Sequence, residues 1–133
     1  MGKASTVFLY LILGAHVVLG LWGAFGFIEY FTGLQVIGPL QNPNFPSGTQ
    51  FIHWVLATAS GFGFLVGYLL KWKHTPTLMV VLYACLTTLC FIETFDFMTK
   101  ESKYTLFVIE VVEYVAISLY LFQSQRMKTH FKR

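Results

Sequence analysis

Glu93 and Asp96 stand three residues apart, and so do Glu110 and Glu113, each pair within or beside a long apolar run. A three-residue step on an α-helix returns to nearly the same face, so each pair is expected to present two carboxylates side by side. Carboxylates grouped in this way share protons, hold a cation or meet a partner's donors. The apolar surroundings sharpen the choice. A charge at the centre of a bilayer costs at least about 2.5–3.5 kcal/mol, so these groups should point inward and be protonated, paired or metal-bound. Two histidines can join them: His53 at a level similar to Asp96, and His16 near Glu113. His16 with Glu113 is the expected buried pair. The plain alternative is that His16 hydrogen-bonds a backbone carbonyl and the acids are neutral packing residues.

The elements that must position these side chains are four apolar runs, about residues 6–30, 51–71, 77–98 and 104–122. Each is close to or above the ~20 residues that a helix needs to cross a hydrocarbon core of about 30 Å. A composition that is 56% hydrophobic and 11% charged excludes an ordinary water-soluble domain. No run alternates apolar and polar residues as a barrel strand does. The expected fold is therefore all-α: one polytopic domain over residues 1–133, a four-helix transmembrane bundle. The first run exceeds the about 7–15 apolar residues of a signal peptide and is read as a span.

Charge orders this bundle. With four crossings, Lys3, Lys71, Lys73, Arg126, Lys128, Lys132 and Arg133 fall on one side, and only Lys100 and Lys103 on the other. That asymmetry predicts both termini in the cytoplasm. The basic tail is read as a topogenic signal, with no nucleic-acid partner expected. All six acids then lie in the outer half or outer loop. Glu29 and Glu101 can reach water there. Counting about 1.5 Å per residue, Glu93 and Glu110 lie roughly 7–9 Å deep and Glu113 roughly 13 Å. Folding the last hairpin about its middle sets Glu93 opposite Glu110.

The connection 31–50 carries no charge and three of the four prolines. Its apolar start, LQVIGPL, suggests a lid over the outer end of the bundle. Pro76 stands at a favourable helix start. Small residues at Ala59, Gly63 and Gly67, and at Gly20 and Ala24, are candidate helix-packing seams. Cys85 and Cys90 are five residues apart, which is no CxxC pair, and are expected as buried free thiols.

Three functions fit such an acid cluster. The first is a divalent metal site at Glu93, Asp96, Glu110, Glu113 and His53, comparable to carboxylate di-metal bundles. The single imidazole at that level favours a hard ion such as calcium or manganese. The second is a pocket for an organic cation or lipid, with Trp22, Trp54, Tyr83 and Tyr114 as walls. The stretch KWKHTP at 71–76, followed by TTL at 87–89 and an acid at the end of the same span, resembles the emopamil-binding and sigma-2 receptor family of sterol-handling membrane proteins. The resemblance covers roughly a third of the chain and implies acid/base chemistry on a sterol double bond. It carries over none of that family's catalytic positions. The third, which the sequence favours, is a non-catalytic subunit or accessory protein of a larger membrane complex, with the acids at a partner, proton or cation contact. Its partners would be lipids and other membrane subunits. No haem or nucleotide is expected: His16 and His53 differ by about 15 Å in depth, and no phosphate-binding loop is present.

Overall fold

The computed structural model describes residues 2–41, 43–97 and 101–132. Met98, the expected end of the third span, and Lys100 and Arg133, counted in the charge asymmetry, lie outside them. The described residues form helices and connections with no strand. Helix α1 spans Lys3–Thr32, α2 Ser47–Leu69, α3 Thr75–Ile92, α4 Lys103–Gln123 and the short α5 Gln125–His130. A π-helical turn, Glu93–Phe97, prolongs α3. Among the described residues, four helices are long and apolar enough to cross a membrane, the third counted with its π-helical turn.

Local chemistry sets the ends. Gly33 closes α1 in the left-handed region (φ 74°), and its N–H bonds Glu29 O at 2.8 Å. Pro46 precedes α2 and Pro76 sits in the first turn of α3, where a missing N–H costs nothing. The helices alternate in direction. Gly20, Gly23 and Gly26 meet Phe62, Thr58 and Trp54 in descending order. Likewise Cys90 and Tyr83 on α3 meet Glu110 and Tyr114 on α4.

The α1–α2 seam is built on glycines other than those the spacing suggested. A Cβ on Gly23 would sit 2.7 Å from the Thr58 backbone nitrogen, and one on Gly61 would be 2.7 Å from His16 O. Gly20 is buried under the Phe62 ring, while Ala24 is only partly buried. On α2, Ala59 is exposed and Gly63 borders open space, leaving Gly67, against Thr75, as the packed member of that stripe. The reason is angular. Ala59 and Gly63 each stand two residues from Gly61, on the far side of a helix turning about 100° per residue.

The apolar core fills the half of the bundle that carries the termini: Leu9, Ile12, Phe64, Met79, Tyr83, Leu86 and Leu121, closed by Met127 and Phe131. Helix α5 thus turns the basic tail into a plug. Its His130 stacks on Tyr68, with ring centroids 4.0 Å apart, and Nε2 donates to Tyr68 O at 2.7 Å. Helix α1 is latched at this end to α4 and α5. Ser5 Oγ lies 3.1 Å from Tyr120 OH, Arg126 Nη2 donates to Thr6 Oγ1 at 2.9 Å, and Phe8 packs edge-on to Tyr120. Above the latch the α1 and α4 backbones stay apart, so the bundle is unzipped along one side.

Candidate functional site

The unzipped half holds the polar residues. Glu93 is at the start of the π turn, where i→i+5 winding turns the chain less per residue than an α-helix does. A three-residue step there fails to return to the same face. Glu93 is therefore buried, 4% exposed, whereas Asp96 is exposed and separated from it. The expected Glu93–Asp96 face does not form.

Glu93 Oε1 instead lies 3.4 Å from His53 Nδ1, within ion-pair range but at an angle that makes no hydrogen bond. Glu93 Oε2 is buried with no hydrogen-bond partner among the described residues. His53 is wedged edge-on between Trp22 and Trp54, at 4.9 and 4.8 Å between ring centres. These side chains, with Cys90, Lys103 and Glu110, line a cavity of about 290 Å³.

Glu110 is satisfied within the protein. It accepts hydrogen bonds from Cys90 Sγ at 2.9 Å and from Tyr114 OH at 2.5 Å. Glu113 is exposed and belongs to a second cavity of about 400 Å³ between α1 and α4. His16 and Tyr83 form part of the same wall. The expected His16–Glu113 pair is replaced by another: His16 Nδ1 donates to Ile12 O at 2.7 Å, and Tyr83 OH lies 2.5 Å from Nε2. With Nδ1 donating, a neutral ring accepts from the tyrosine. The backbone-carbonyl alternative for His16 is thus the one the structure takes. Trp22, His53, Leu106 and Glu110 border both cavities and form the neck between them.

The connection after α1 contributes to the wall of the first cavity. Glu29, expected at the water boundary, is buried and anchors it: Oε2 accepts from Leu40 N at 2.6 Å and Oε1 from Gln35 Nε2 at 3.4 Å. Gln41 bridges to Gly26 O at 3.0 Å and takes the Trp54 indole N–H at 3.1 Å. Leu40 and Phe45 then form part of the cavity lining.

Sequence reasoning missed Glu29 as an anchor and Cys90 as a partner of Glu110; Cys85, expected buried, is exposed. Part of this was detectable. Glu110 and Tyr114 are spaced i, i+4, and so are Cys90 and Thr94, which places each couple on one helix face. No three His, Cys, Asp or Glu side chains converge to hold a metal among the described residues. The five-residue metal set is therefore divided into a Glu93–His53 pair, an internally bonded Glu110, and two exposed acids. No protein-family model, curated protein or solved structure matches the chain.

Proposed function

We propose that this chain is a multi-pass membrane protein, with both termini cytoplasmic, whose half-open bundle binds a lipid-like molecule. The observation that carries this reading is Glu93 Oε2, a buried carboxylate oxygen without a protein partner at the wall of a cavity. Leaving such an oxygen unsatisfied costs about 1–3 kcal/mol or more, so the site calls for a donor from outside the chain. The two cavities, about 290 and 400 Å³, lie at the lower end of the about 300–1,000 Å³ typical of ligand pockets. With the loop end roofed by Leu40 and Phe45, entry is sideways, between α1 and α4, where a membrane would place hydrocarbon. In a catalytic form of this reading, Glu93 and His53 are the acid/base pair.

An accessory-subunit reading remains as the second. What favours it is α4, whose only buried residue is Leu121. A helix so sparsely covered suits a neighbour from another chain. The Ser5–Tyr120 and Thr6–Arg126 latch weighs against a partner helix filling the gap along its full length.

A native mass spectrum of the protein, released gently from its own membrane, separates the two. A lipid-sized adduct on a single chain is the expected result. Added polypeptide mass, with no small adduct, would replace the pocket by the subunit.

A further inference from the structure

Resting on the pocket reading, we infer that the ligand's polar end is an uncharged hydroxyl on a single hydrocarbon chain, and that Glu93 and His53 select it against both amines and acids. The argument starts from charge. The ionisable cavity-lining groups that settle the balance are Glu93, Glu110, His53 and Lys103. Glu93 and His53, 3.4 Å apart, are neutral as a pair when they hold one proton, whichever of them carries it. Glu110 accepts from two donors, and Glu110 and Lys103 place one carboxylate and one ammonium in the same lining, whose formal charges cancel. The compartment is thus balanced before any ligand enters. An ammonium or carboxylate head would bring an unmatched charge into a mostly apolar cavity, where it is costly.

Hydrogen-bond capacity points the same way. If Glu93 is ionised, its open oxygen accepts; if the proton is on Glu93, the carboxyl can donate. A hydroxyl both donates and accepts, so it completes the pair in either state. An ammonium only donates and a carboxylate only accepts. Below the head, Trp22 and Leu106 narrow the passage at the neck, and the second cavity continues along Val18, Leu19, Ile109 and Ile117. This passage suits one chain: Glu113 stands exposed at its edge, and among the described residues no second buried carboxylate oxygen lacks a partner.

The test compares three amphiphiles of one chain length, hexadecanol, hexadecylamine and palmitate, each brominated along the chain. Binding to the full-length protein in neutral lipid nanodiscs is read from quenching of tryptophan fluorescence. Hexadecanol should bind about tenfold or more tighter than either charged analogue. Glu93→Leu, checked for an unchanged melting profile, should reduce hexadecanol affinity about tenfold to a hundredfold and abolish its advantage over palmitate. If Glu93→Leu fails to fold, the ranking in the unaltered protein decides alone. Tighter binding of hexadecylamine or palmitate than of hexadecanol overturns the hydroxyl inference while the pocket stands. Absence of saturable quenching by all three overturns the pocket as well.

Discussion

At the scale of single residues, the polar groups in this bundle divide into those the chain satisfies itself and one it leaves open. His16 belongs to the first kind, held between Ile12 O and Tyr83 OH and 2% exposed. Removing the tyrosine hydroxyl strands the ring nitrogen where water cannot replace it. Tyr83→Phe should therefore destabilise the protein by about 1–2 kcal/mol, measured by denaturant unfolding in detergent. Glu113→Gln changes an exposed group outside any hydrogen bond described here, and should leave stability within about 0.5 kcal/mol. Equal losses in the two variants would mean that His16 depends on Glu113 after all. Glu93 is the residue of the second kind, and the proposed ligand site rests on it.

At the scale of elements, the contrast between α1–α2 and α1–α4 controls the shape. The first pair approaches backbone to backbone through Gly23 and Gly61, while the second is hydrogen-bonded near the termini, between Ser5 and Tyr120. Close approach is sensitive to a single carbon. Gly61→Ala places a methyl group against Gly20 and His16 backbone atoms and should cost about 1–3 kcal/mol. Gly63→Ala, facing open space two residues on, should be neutral or slightly stabilising, because alanine favours the helix by up to about 1 kcal/mol. Unfolding of both variants side by side checks the seam. If Gly63→Ala were the damaging change, the α1–α2 packing described here would be wrong.

For the whole molecule, an apolar core at the terminal half and a cavity at the other half give the bundle two unlike ends. Every acid lies in the half or loop away from the termini, and the described basic residues Lys3, Lys71, Lys73, Arg126, Lys128 and Lys132 gather at the terminal end. Single cysteines placed at Lys73 and at Gln35, in a background without Cys85 and Cys90, should label from opposite faces of sealed vesicles. Lys73 is expected on the cytoplasmic face. Labelling of both from one face would remove the four-crossing arrangement.

The four long helices were legible in the sequence because uninterrupted apolar runs of this length have few other solutions, and their observed ends fall within about four residues of the runs. The turn chemistry of Pro76 was legible for the same local reason. Glu93 and Glu110, set opposite each other by folding the last hairpin about its middle, both line the first cavity. What counting could not supply was direction around each helix. The π turn rotates Asp96 off the face of Glu93, and the packing of α2 between α1 and α3 turns Ala59 and Gly63 outward. Partner choice was equally a tertiary matter. His16 met Tyr83 instead of Glu113, and Glu29 met the backbone of Leu40 instead of water, because hydrogen bonds are won by whichever group the neighbouring backbone brings within about 3 Å. The sequence by itself determined which segments are long apolar helices. Only the three-dimensional packing decided which acid is left open toward a cavity, since that depends on the relative rotation of helices that share no local sequence signal.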